Sequence, residues 1–111
     1  MNVAQLTNPL VKAAIEAMNA GDRQGWFNLF ANGAELTDDG NANNFTQWSD
    51  SELFGKSKAY LMSIDRVEDN GQTIYGKFHS DRWGEFNTFM KFKIRDNKIV
   101  GLDVGQVGDS S

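Results

Sequence analysis

The sequence predicts an α+β domain, and three observations predict it. Apolar residues recur at helical spacing over residues 10–30. A short strand ending on the carboxylate pair Asp38–Asp39 comes next. From residue 58 the pattern changes to period two, punctuated by Asn70-Gly71 and Asp96-Asn97. Helices followed by hairpin-linked strands pack in two layers, with the helical stripes buried on one face of the sheet.

Size and composition agree with one domain over residues 1–111. The chain has 111 residues and is 40% hydrophobic, enough to bury a core. Eight Phe, three Trp and two Tyr predict a core or cavity lined by flat side chains. A formal charge of -4 argues against nucleic acid, whose phosphates select basic surfaces. Cysteine is absent and histidine occurs once, so thiolate ligation and a structural zinc site are excluded, and no metal or other cofactor is expected. Residues 1–7 carry no export pattern and no apolar run is long enough to cross a bilayer. The expectation is a cytoplasmic protein without membrane or nucleic-acid partners.

The elements follow in order. Asn8-Pro9 opens the first helix, Asn as the cap and Pro at a position where its missing N–H costs nothing. Leu10, Val11, Ala14, Ile15 and Met18 form its apolar stripe, and Gly21 stops it. Asp22 caps a shorter helix that carries Trp26, Phe27, Leu29 and Phe30. Asn32-Gly33 reads as a turn into a strand over 34–38. Residues 40–57 are polar and irregular, with Phe45, Trp48 and Leu53 as islands that can anchor a short helix over 45–53. Such a segment is either a loop pinned by aromatics or a lid over a pocket. Tyr60, Met62 and Ile64 alternate with polar residues, a hairpin turn at 68–71 follows, and strands over 73–81, 85–95 and 98–106 complete an antiparallel meander. Residues 107–111 read as a frayed tail. A sheet this aromatic must curl around the first helix to bury its side chains.

This order resembles the nuclear transport factor 2-like superfamily, a cone-shaped α+β fold that includes ketosteroid isomerases, SnoaL-like polyketide cyclases and scytalone dehydratase-type enzymes. The resemblance covers residues 8–106. It is carried by Ala17-Met18-Asn19-Ala20-Gly21-Asp22, Leu29-Phe30-Ala31, the strand over 34–38, and Asn97-Lys98-Ile99-Val100 with Leu102. It implies a curved antiparallel sheet wrapped around the N-terminal helices, a pocket between them and a homodimer through the outer sheet face. The fold alone specifies no reaction.

Asp38 is the candidate catalytic base. The resemblance places the isomerases' basic Asp at the end of the first strand, in a segment like Ala34-Glu35-Leu36-Thr37-Asp38. Burial in an apolar cone raises a carboxyl pKa, as a base acting near neutrality requires, and Asp39 adds like-charge repulsion. The other reading is a solvated Asp-Gly turn. The isomerases' enolate donors are not matched: their helical Tyr falls at Ala14 and their late-strand acid near Thr88 or Met90. Tyr60 or Tyr75 is the alternative phenol. Ligand-wall candidates are Trp26, Trp48, Tyr60, Met62, Phe86, Thr88, Met90 and Asp103, whose inward or outward direction alternation leaves open. His79 and Asp81 share a strand face, as an acid–base pair or as an outward polar pair.

Two functions remain. One is a small-molecule-binding SnoaL-like domain with an apolar pocket for a hydrophobic ligand, with isomerase, cyclase or dehydratase-type proton transfer implied by the resemblance. The other is a non-catalytic homodimeric interaction module using Tyr75, His79, Phe89 and Val104 on the outer face.

Overall fold

A computed structural model describes residues 5–56 and 58–107. Apart from Val107, the expected tail lies outside these residues, as do the first four positions. Helix α1 (Pro9–Ala20) begins where Asn8 Oδ1 accepts the Leu10 and Val11 N–H groups at 3.0 and 3.3 Å. Removing such a cap costs about 1 kcal/mol. The helix ends at Gly21, which adopts φ 71°, a left-handed conformation that glycine reaches without a Cβ penalty. Helix α2 (Arg23–Asn28) is capped by Asp22, which accepts the Gly25 N–H at 2.9 Å.

Strand β1 (Phe30–Asp38) starts earlier than the sequence indicates. Asn32-Gly33 is not a turn before the strand but an irregularity inside it, where Gly33 takes φ 76° and the register shifts between Phe30 and Glu35. A short β2 (Asn41–Asn43) folds back on β1. Helix α3 (Phe45–Glu52) follows, capped by Asn44, and occupies the segment expected to be helical. Then come β3 (Ala59–Leu61), β4 (Arg66–Glu68), a tight turn over Asp69–Gly71, β5 (Thr73–Ser80), β6 (Gly84–Arg95) and β7 (Lys98–Gln106). Left-handed Asp69, Asn70 and Gly71 close one hairpin and left-handed Asp96 and Asn97 the other.

The strand order is β2-β1-β7-β6-β5-β3, with β4 also on β5. The sheet is curved, unclosed and mixed rather than wholly antiparallel, because β1 pairs with β7 in parallel. Hairpin logic links only neighbours in sequence. Here the last strand of the meander returns beside the first, across a connection that contains α3 and the rest of the sheet.

The core forms where the α1 stripe (Val11, Ala14, Ile15, Met18) meets the inner sheet face (Leu36, Ile74, Met90, Phe92, Leu102). Each of these side chains other than Ala14 contributes about 1.5–3 kcal/mol on full burial. The expected phase of β3 is inverted: Ala59 and Leu61 are buried, while Tyr60 faces outward. The register with β5 carries this phase: Ala59 and Leu61 stand opposite Ser80 and Phe78 of the inner face, and Tyr60 opposite His79. Asn19 ties the strand to α1, its amide pairing with both the N–H (2.9 Å) and the C=O (3.0 Å) of Leu61. The chain then kinks past Gly76, where a Cβ would collide with the Ser63 carbonyl oxygen, and the kink returns Ile64 to the core.

Candidate functional site

Helix α3 presents two faces. Phe45 and Ser49, four residues apart, are buried. Ser49 Oγ accepts the Trp26 Nε1–H at 3.1 Å, and Trp26 also contacts Phe30, Phe45 and Phe54. Trp48, Ser51 and Glu52 lie on the other side and form one wall of an open cavity of about 680 Å³. The opposite wall is the inner sheet face, with Phe78 and Ser80 on β5, Phe86, Thr88 and Met90 on β6, and Val104 on β7. Asp38, Asp39 and Gln106 close one end, and Trp83 of the β5–β6 hairpin stands at the rim. The lining is mixed, an apolar sheet face opposite polar and acidic groups.

Asp38 is half-buried at the end of β1. Its Oδ2 accepts the Trp48 Nε1–H at 2.8 Å. Burial pushes its pKa above the ordinary carboxylate value of 3.8, and the charges of Asp39 and Glu52 push the same way, while the Trp48 hydrogen bond pulls it down. Asp39 has a structural part. It takes φ 51°, donates its N–H to Val104 O at 2.9 Å, and accepts the Gln106 N–H on Oδ1 at 2.9 Å. This close approach requires Gly105, where a Cβ would lie 2.7 Å from Asp39 Oδ1 and 2.8 Å from the Phe89 ring.

The rim has its own network. Glu52 Oε1 accepts the Trp83 Nε1–H at 2.8 Å, and Oε2 pairs with Arg82 at 3.2 Å. Arg82 also stacks over the Trp83 ring, 4.8 Å from its centroid. The hairpin is thereby tied to α3 across the mouth of the cavity.

The structure brings Asp38, Trp48, Phe86, Thr88 and Met90 together around the cavity. The other proposed ligand contacts lie elsewhere. Trp26 is fully buried in the core. Tyr60 stacks on His79 on the outer sheet face, and Met62 lies in the kink after β3. Asp103 points outward and accepts the Thr37 hydroxyl at 2.7 Å. Its direction follows from a bulge: Ile99 pairs with Ile94 but Gly101 with Lys93, so Val100 is an extra residue that reverses the alternation of β7. The same reversal turns Val104 inward, so it belongs to the cavity and not to the outer face. Tyr75 lies under Arg66, so neither tyrosine offers a phenol to the site. His79 bonds Asp81 at 2.6 Å and pairs with Glu85 at 3.4 Å, away from the cavity.

Sequence reasoning missed Glu52, Phe78 and Val104. The spacing of Trp48 and Glu52, four apart on a helix, was the available signal for Glu52. Among the described residues no group of His, Cys, Asp and Glu could hold a metal ion, and no helix is long and apolar enough to cross a membrane.

No family model matches the sequence, and no curated protein matches it. Solved structures do match in fold. A protein from Sphaerobacter thermophilus has a TM-score of 0.71 at 17% identity, over 90% of this chain and 94% of its own. A "putative polyketide cyclase" from Sinorhizobium meliloti has a TM-score of 0.68 at 17% identity, over 94% of this chain and 99% of its own. An NTF2-like protein of unknown function from Cytophaga hutchinsonii has a TM-score of 0.67 at 10% identity, over 94% and 88%. The chain has the α+β nuclear transport factor 2-like fold of the SnoaL-like proteins.

Proposed function

We propose that the cavity binds a small organic molecule and that Asp38 exchanges a proton with it. The ligand's apolar body lies on Phe78, Phe86, Met90 and Val104, and its polar group faces Asp38. The observation that carries this reading is the half-buried Asp38 carboxylate, oriented by the Trp48 indole at the end of an open cavity. A carboxyl with a raised pKa is suited to accept a proton near neutrality. The polyketide cyclase name of one structural neighbour is compatible with acid–base chemistry at such a site.

Ketosteroid isomerase-type enolate stabilisation is not supported. Ala14 is buried in the core, and the Thr88 hydroxyl is engaged with the Gly105 carbonyl at 2.8 Å. Met90 has no proton to donate. The Trp48 indole donates to Asp38 itself. Binding with proton acceptance at Asp38 is the reading that these groups favour.

A thermal-shift screen with flat, partly apolar molecules tests it. A ligand of the native state at a hundred times its Kd stabilises by about 2.7 kcal/mol. The expected result is a raised melting temperature, with a shift of the Trp48 indole N–H resonance that is altered in Asp38→Asn. A set of binders that leaves the Trp48 resonance unmoved would place the ligand elsewhere and overturn the proposal.

A further inference from the structure

We infer that the ligand of this cavity is a cation, an amine on a flat apolar skeleton. The inference rests on the binding reading above and narrows it to a chemical class. The cavity lining contains Asp38, Asp39 and Glu52, and no Lys, Arg or His among its described residues. The cation in contact with this trio is Arg82, which pairs with Glu52 from the rim, where its side chain is 53% exposed. Two formal negative charges therefore lack a cationic partner in the cavity wall.

Those carboxylates are held in place. Asp39 is fixed by the Gln106 N–H, Asp38 by the Trp48 indole and Glu52 by the Trp83 indole. Neutral donors of this kind orient a carboxylate without cancelling its charge. Asp38 and Glu52 line the cavity from different elements, β1 and α3, and the Glu52 charge acts on Asp38. A cation seated between them relieves that repulsion, whereas an anion would add to it in a partly desolvated space.

The rest of the lining fits the same class. Trp48, Trp83, Phe78 and Phe86 supply aromatic surface, which attracts ammonium groups through the ring quadrupole as well as covering an apolar skeleton. The net charge of -4 on the whole chain steers a cation toward the protein and an anion away from it.

Three molecules of one shape test this on the intact protein: naphthylmethylamine, naphthylmethanol and naphthoate, which are cationic, neutral and anionic at neutral pH. Each is titrated while the Trp48 indole N–H resonance is followed. The expected result is that the amine binds about ten-fold tighter than the alcohol, the gain of one good charge contact, and naphthoate weakest. Raising the salt concentration should weaken the amine and leave the alcohol nearly constant. Glu52→Gln should shrink the amine's advantage, and the salt dependence of the wild type carries the test if that variant does not fold. Equal binding of alcohol and amine, or tighter binding of naphthoate, would overturn the charge inference and leave the cavity reading standing. Failure of all three to move Trp48 would count against both.

Discussion

Replacing Ser49 with Ala should destabilise the protein by about 1–2 kcal/mol. The Ser49 side chain is fully buried on the inner face of α3, and its Oγ accepts the Trp26 Nε1–H at 3.1 Å. Truncation leaves an indole N–H buried without this acceptor, at a cost of about 1–3 kcal/mol. Ala is a better helix former than Ser by about 0.5 kcal/mol, which offsets part of the loss. For a domain near this size each kcal/mol lowers Tm by about 4–8 °C. Urea unfolding should show a lower midpoint with an unchanged m-value, because the surface exposed on unfolding is the same. In a Trp26→Phe background, the Ser49→Ala change should cost almost nothing, since the donor is already gone. If Ser49→Ala costs less than about 0.3 kcal/mol, or the same in both backgrounds, the two residues are uncoupled. The pin holding α3, and with it Trp48 and Glu52, would then not exist.

Asp38→Asn should stabilise the protein at neutral pH. A carboxyl whose pKa is raised on folding binds more protons in the native state, so stability falls as pH rises from 3.8 through the folded-state value. The variant lacks this fall, and its advantage over wild type should vanish below that window in pH-dependent chemical denaturation. His79 gives a fall of the same sign in a higher pH window. The hydrogen bond to Asp81 and the nearby Glu85 carboxylate raise its pKa above 6.5, so its contribution is complete below 6.5 and is lost as pH rises through the folded value. His79→Gln should flatten stability against pH above 6.5 without altering ligand binding, because His79 lies on the outer sheet face. Gly76→Ala should cost roughly 3 kcal/mol or more, the upper end for overpacking, because its Cβ would meet the backbone oxygen of Ser63 and not a movable side chain. Urea unfolding reads this directly.

The helices were legible because their signals are local. Asn8, Gly21 and Asp22 each act within a turn of their own position, and each makes the expected cap. The hairpins at Asn70-Gly71 and Asp96-Asn97 are local for the same reason. What sequence periodicity could not show depended on distant partners. Alternation alone made Tyr60 and Met62 inward candidates, but the register with β5, which sets Leu61 opposite Phe78, decides the phase of β3. The parallel β1–β7 pair joins opposite ends of the chain. Val100, one extra residue in β7, decides that Asp103 faces out and Val104 faces in.

The site was legible in the same proportion. Asp38 was singled out by the family resemblance, and Phe86, Thr88 and Met90 by the alternation of β6, an unbroken strand up to Lys93. Trp26 carries no mark in the sequence that separates a core anchor from a cavity wall. Its burial results from the aromatic cluster with Phe30, Phe45 and Phe54, which α2, β1 and the segment around α3 supply together.

The most direct measurement is the titration of the Asp38 side-chain carboxyl by carbon-detected NMR, read together with the Trp48 indole N–H resonance. A pKa above 3.8, with the indole resonance shifting over the same transition, is the expected result. A carboxyl titrating at or below 3.8, with an indole that ignores it, would mean that Asp38 is an ordinary solvated aspartate and that the cavity has no acid–base group at its end.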